Sequence, residues 1–113
     1  MIPATRLEEL TQLMGPSGFE ELLATLSTDF DRAAGWLEAA LEPADLADIA
    51  RVSHMVISLA ATLAAQDLVE QARATQAAAN GGSPEAASLG TTLLAEVRAV
   101  AEALRLARAR HPA

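Results

Sequence analysis

The sequence predicts an all-α protein, an antiparallel four-helix bundle of the up-down type with an additional short N-terminal helix. Apolar residues recur at helical spacing along almost the whole chain, and no window alternates apolar and polar residues as a half-buried strand would. The breaks between the helical segments are short clusters around glycine or proline, which favours antiparallel neighbours. With 113 residues and no internal repeat, residues 1–113 are expected to form one domain.

The first two predicted helices meet at the Gly-Pro sequence of residues 15–16. Residues 5–14 carry their leucines on one side, and we expect them to form a short helix that covers the bundle as a lid. A capping box at residues 17–20 begins the second helix, whose apolar spacing continues to Pro43. Trp36 is expected to pack beneath the lid, with a partner contact as the alternative.

Three further helices follow from similar signals. The third is expected over residues 44–65 and the fourth over residues 67–79, where an Asn-Gly-Gly sequence at residues 80–82 ends it. The last helix begins at the cap and first-turn pair Ser83–Pro84 and runs to about Arg110. The connections are too short to separate domains.

Composition excludes several kinds of chemistry. The chain has no Cys, Tyr or Lys, which rules out thiolate nucleophiles, Schiff bases, disulfides and thiolate metal sites. Its two histidines, His54 and His111, lie far apart in sequence, and no metal or other cofactor is expected on this chain. Gly81 and Gly82 end a helix instead of forming a glycine-rich phosphate cradle, so the chain is not expected to be a kinase.

Charge and hydropathy argue against nucleic-acid and membrane partners. The formal charge is −7, whereas phosphate binding needs clustered Lys and Arg. Residues 1–70 hold twelve acids and three arginines; residues 71–113 hold three acids and five arginines and are a candidate surface for an acidic partner, solvated helix faces being the alternative. No secretory signal opens the chain, and its longest uncharged apolar run, residues 55–65, is too short for a bilayer. A cytoplasmic location is therefore expected.

One histidine has an informative position in the third predicted helix. At helical spacing His54 lies opposite the large aliphatic residues, which form the expected buried stripe. That stripe consists of Ile49, Val52, Val56, Leu59 and Leu63. The residues on the histidine's own face are small except for one arginine, and they are Ala47, Ala50, Arg51, Ser58 and Ala61. A partner is expected to approach the ring closely there, although spacing alone also fits an ordinary helix-surface histidine.

The order of residues from His54 to Leu68 resembles the histidine-containing phosphotransfer (HPt) domains of bacterial phosphorelays. The matching positions are the small Ser53, His54, the aliphatic Val56, the stretch Leu63–Ala65 and Leu68. The resemblance extends back through the helix from Phe19 to Leu41 and forward to Gln76, so it covers most of the chain.

The resemblance implies a role for each residue of the site. His54 would accept a phosphoryl group from an aspartyl phosphate on a receiver domain and pass it to another receiver, and Gln76 would orient the imidazole. The family's Lys three residues after the histidine is replaced by Ile57, and its Gly four residues after by Ser58, which is small enough to keep access and able to donate to a phosphoryl oxygen. The cations available in place of the Lys are Arg51 and Arg73, and the implied docking face comprises Ala47, Ala50, Ile57 and Ala61.

The implied partners are response-regulator receiver domains or a hybrid histidine kinase. The chain itself would be a monomeric phosphotransfer protein without an ATP site, and the divalent metal needed for aspartyl phosphate chemistry would be bound by the receiver. Two alternatives stay open. One is a module that binds and sequesters a receiver without transfer, which the lack of a donor group on Ile57 favours. A helical dimerisation module is the other, which an exposed apolar patch away from His54 would favour.

Overall fold

The structure of the protein, a computed structural model, describes residues 2–110, and the regular elements within that range are all helices. They are α1 (Arg6–Leu41), α2 (Leu46–Thr62), α3 (Gln66–Asn80) and α4 (Ala86–Arg110). Each helix packs against the next, and α4 returns to pack along α1, so that the four helices enclose one core. The predicted all-α bundle is confirmed at this level.

The three connections between helices have the same hydrogen-bonding pattern. In the first, the Asp45 N–H donates to the Ala40 carbonyl at 2.9 Å, and the residue before it, Ala44, has a left-handed φ of 54°. Ala64 and Gly82 occupy the equivalent position in the other two turns, with φ of 53° and 68°. This is the Schellman ending, which reverses the chain tightly after a helix and so makes the neighbouring helices antiparallel.

The core is mostly aliphatic, and its largest fully buried side chain is Phe30. Four of the five residues of the predicted stripe on α2 are also fully buried, namely Ile49, Val52, Val56 and Leu63. The fifth, Leu59, is only half-buried. A Cβ added at Gly90 of α4 would lie 2.6 Å from Cδ2 of Leu41, so a larger residue there would displace the Leu41 side chain of α1. The stripe therefore sets the rotation of α2 and turns its opposite face to solvent.

Residues 6–14 belong to α1, and a kink at Gly15 separates them from the rest of that helix, at the boundary expected between the first two predicted helices. Gly15, with φ 74° and ψ 167°, is the one non-helical residue within α1 and marks a kink. Before the kink, Leu10 is buried and the Arg6 Nε donates to the carbonyl of Thr62 at 3.1 Å. Residues 6–14 thus contact the carboxyl end of α2, and the glycine permits the change of direction without the cost that a side chain would impose.

Two arginines of α4 pair with acidic residues of α1. Arg98 bonds to Glu38, and Arg105 contacts Asp31 at 2.8 Å. Arg105 also bonds to Glu102 at 2.7 Å, and these hydrogen bonds, the one to Glu102 first, raise the pKa of its guanidinium. Part of the basic excess of residues 71–113 is therefore balanced within the chain.

Candidate functional site

His54 lies near the middle of α2 and is exposed to solvent. Helix α2 begins at Asp45, whose side chain accepts a hydrogen bond from the backbone N–H of Asp48, a regular N-cap. From that start the buried stripe holds the helix against the core, and the histidine falls on the outer side. The expected exposure of His54 is confirmed.

Gln76 of α3 is the side chain that contacts the imidazole. Its Nε2 lies 3.3 Å from Nδ1 of His54, although the two residues are 22 positions apart in sequence. In this amide orientation Gln76 donates, so a neutral ring carries its proton on the other nitrogen. Rotation of the amide would place Oε1 against Nδ1, which holds the proton there and leaves the lone pair of His54 Nε2 free. One amide can thus select the ring nitrogen that acts as nucleophile.

Arg51 is exposed but engaged. Its Nε lies 3.4 Å from Oδ1 of Asp48, and its guanidinium lies over the ring of Trp36, 5.7 Å from the centroid. This contact corrects the expectation for Trp36, which is 45% exposed and packs against α2 instead of beneath the N-terminal residues. Arg51 is therefore held toward the α1 side of His54.

Arg73 is the second candidate cation, and it is exposed on α3, one turn before Gln76. The connection between residues 62 and 66, together with the contact between His54 and Gln76, sets an antiparallel register in which Arg73 lies opposite Ile57. Within residues 2–110 it takes part in no ion pair. Arg73 is thus available to an anionic group bound near His54.

The small-residue face around His54 is present with one correction. Ala47, Ser58 and Ala61 are exposed, whereas Ala50 retains only 8% of its surface and counts as buried. Ile57 is half-buried. Ala50 and Ile57, four residues before and three after His54, lie on the side of α2 that faces α3. The close packing of α2 against α3 covers them. Ala50 is therefore a packing residue and does not contribute open docking surface.

The pairing of Trp36 with Arg51 was not expected from the sequence. The two residues lie on different helices, and neither stands in a motif that would signal contact. A long-range register between α1 and α2 would have been needed to find it. The remaining candidate, His111, lies outside the described residues.

A groove of about 670 Å³ lies away from this site. It is formed by the N-terminal residues, α3 and α4, with Leu7, Gln71 and Val100 among its lining residues, and His54 does not line it.

Within the described part of the chain, no three His, Cys, Asp or Glu side chains are grouped so that they could hold a metal ion. The features around His54 are those of an open surface.

Comparisons with known proteins add no family to these observations. No protein-family model, curated protein or solved structure matches the chain. Across residues 2–110, none of the helices combines the length and the apolar character required to cross a bilayer. The function is therefore inferred from the chemistry of the site itself.

Proposed function

We propose that this chain is a cytoplasmic phosphorelay intermediate of the HPt kind. His54 accepts a phosphoryl group from the aspartyl phosphate of one receiver domain and passes it to another. The observation that carries the proposal is the contact between the exposed His54 and Gln76, at 3.3 Å, on the outer surface of a four-helix bundle. An exposed imidazole whose ring is held by a neighbouring amide suits transfer between two proteins, because both partners must reach the same nitrogen.

The transfer requires little from this chain beyond position and tautomer. With Gln76 Oε1 accepting from Nδ1–H, the lone pair of His54 Nε2 attacks phosphorus as the bond to the aspartyl oxygen breaks. The electron pair of that bond leaves with the aspartate carboxylate of the receiver, and the phosphoryl group remains on the imidazole. The second receiver reverses these bond changes. A divalent metal and the acidic residues that hold it belong to the receiver.

The charge on the phosphoryl group needs a cation, and Arg73 is the better placed of the two candidates. Ile57 offers no donor at the position where the family has its Lys. Arg73 lies opposite Ile57 on α3 and has no ion pair in the described residues, while Arg51 is already engaged by Asp48 and Trp36. The proposal therefore assigns charge neutralisation to Arg73.

We expect Arg73→Ala to slow phosphoryl transfer to His54 about tenfold, because one partly exposed charge-assisted contact contributes on the order of 1–2 kcal/mol. The measurement is the rate of labelling of His54 by a phosphorylated receiver at saturating concentration. Arg108→Ala is the matched control, since Arg108 is an exposed arginine of α4 and its loss changes the net charge equally. Equal effects of the two variants would show that only net charge matters and would remove Arg73 from the site.

The position of the docking face can be tested by introducing a large side chain on it. Ala61 is exposed and lies two turns after His54 on the same face, so Ala61→Trp is expected to abolish receiver association while circular dichroism shows unchanged helicity. Ala95→Trp places the same bulk on an exposed position of α4 and serves as the control. Affinity that is unchanged in Ala61→Trp, measured by calorimetry, would move the interface away from this face.

A second function is favoured by one observation, the half-buried Ile57 in place of a cation. In that case the chain binds a receiver through the same face and sequesters it without accepting phosphate. Incubation with phosphorylated receivers distinguishes the two functions, because the relay protein acquires label on His54 and the sequestering protein binds without label. If the chain is a relay protein, Ile57→Lys tests whether its charge neutralisation is complete. The variant accelerates transfer if the relay is weakened by the missing cation, and does little if Arg73 already supplies the charge.

A further inference from the structure

The most unusual feature of the surface near His54 is its tryptophan. Trp36 is the single tryptophan of the chain and is 45% exposed on α1. One face of its ring is covered by the guanidinium of Arg51 at 5.7 Å, and Arg51 is held in turn by Asp48 at 3.4 Å. The cation–π contact restricts the ring in an exposed position, which lowers the entropy that a partner must remove on binding.

The two flanks of His54 differ in chemistry. On the α1 flank, Met55 and Leu59 follow Arg51 at helical spacing and are half-buried against the core, so they add apolar surface to the side of α2 on which Arg51 contacts Trp36. On the α3 flank stands Arg73, exposed and without an ion pair in the described part of the chain. A partner centred on His54 would therefore meet an aromatic and apolar surface on one side, where the charge of Arg51 is engaged by Asp48 and Trp36, and on the other side an arginine that has no ion pair in the described residues.

We infer that Trp36 is the anchor through which a receiver domain docks on this chain, and this inference rests on the proposed function. The partner carries an apolar patch beside an acidic phosphorylation pocket. The patch covers Trp36, and the pocket lies over His54 with its acidic groups and phosphoryl oxygens toward Arg73. Tryptophan and arginine are the residues most enriched among those that dominate binding energy at interfaces, and the asymmetry of the flanks permits one orientation of the partner.

The protein supplies its own probe for this arrangement. Because the chain has one Trp and no Tyr, its fluorescence excited at long wavelength comes from Trp36 alone. Titration with a tryptophan-free receiver domain is expected to shift the emission to shorter wavelength, since docking removes the ring from water. Binding detected by calorimetry without a change in emission would overturn the inference.

The variant Trp36→Ala measures the contribution of the anchor. We expect the receiver concentration that gives half-maximal labelling of His54 to rise roughly tenfold or more, as for other aromatic anchors at interfaces. Phosphoramidate is a small phosphodonor that has no docking surface. The fold-change in half-maximal concentration caused by Trp36→Ala should be at least about five times larger for the receiver than for phosphoramidate. Leu106→Ala, which truncates another exposed apolar side chain on α4, is the control.

The outcomes separate the inference from the proposed function. Equal half-maximal concentrations for Trp36→Ala and the unaltered chain would place the anchor elsewhere and leave the relay intact. If neither a phosphorylated receiver nor phosphoramidate labels His54, the relay function fails, and the emission of Trp36 on receiver binding still decides whether the docking site is correct. Trp36→Phe should recover part of the lost affinity, whereas a merely structural role would show as reduced helicity in Trp36→Ala.

Discussion

His54→Gln is expected to abolish phosphoryl labelling of the chain completely. The amide nitrogen of glutamine is not a nucleophile, and no other side chain within reach on the exposed face has an unprotonated nitrogen. Because His54 is exposed and glutamine is a good helix former, the substitution leaves α2 and its buried stripe in place. The measurement is incorporation of labelled phosphate from a phosphorylated receiver, followed by acid treatment, which hydrolyses the phosphorus–nitrogen bond.

Two controls make this result specific. His111→Gln removes the other histidine of the chain and is expected to leave acid-labile labelling unchanged. Receiver binding by His54→Gln, followed through the emission of Trp36, shows that the docking face survives. Acid-labile label on His54→Gln would contradict the assignment of the phosphoryl acceptor.

Phe30→Ala is expected to lower the free energy of unfolding by about 3–5 kcal/mol, the usual loss for truncating a large buried aromatic side chain. Phe30 is fully buried and is the largest of the fully buried side chains, so its truncation leaves a cavity in the core. Small domains are stabilised by only about 5–15 kcal/mol, so the variant would lose much of its stability. Urea denaturation followed by circular dichroism at 222 nm measures the change.

Leu13→Ala is the comparison for Phe30→Ala, because Leu13 is 77% exposed and its truncation removes little buried surface. A change within about 0.5 kcal/mol is expected for it. A loss in Phe30→Ala no larger than that of Leu13→Ala would mean that Phe30 is not packed in the core. The order of the two losses therefore tests the packing of the bundle independently of its function.

The sequence predicted much of the candidate site. His54 was expected to be exposed because the large aliphatic residues of α2 occupy the opposite side of the helix, and the structure confirms this. Gln76 was named through the resemblance to HPt domains, and the structure brings its amide to the imidazole. Periodicity could not provide that distance, because it depends on the register between α2 and α3.

The positions that sequence reasoning misjudged depend on neighbouring helices. The spacing put Ala50 on the face of His54, but the close approach of α3 buries it. Helix α2 was expected to continue to Ala65 and ends at Thr62, because Ala64 adopts a left-handed conformation that glycine or asparagine would have signalled. Trp36 was expected to be covered and instead lies exposed beside Arg51.

The sequence by itself determined the helical class of the fold, its four main segments and the side of α2 that carries His54. These follow from apolar spacing within a single segment, where the helix repeat alone decides which residues share a face. The tertiary structure decided which side chains are in contact: Gln76 contacts His54, and Arg51 contacts Trp36. It also leaves Arg73 without an ion pair within the described residues. Contacts between helices depend on the turn conformations and on the relative translation and rotation of the helices. That translation and rotation are set by the packing of the whole core.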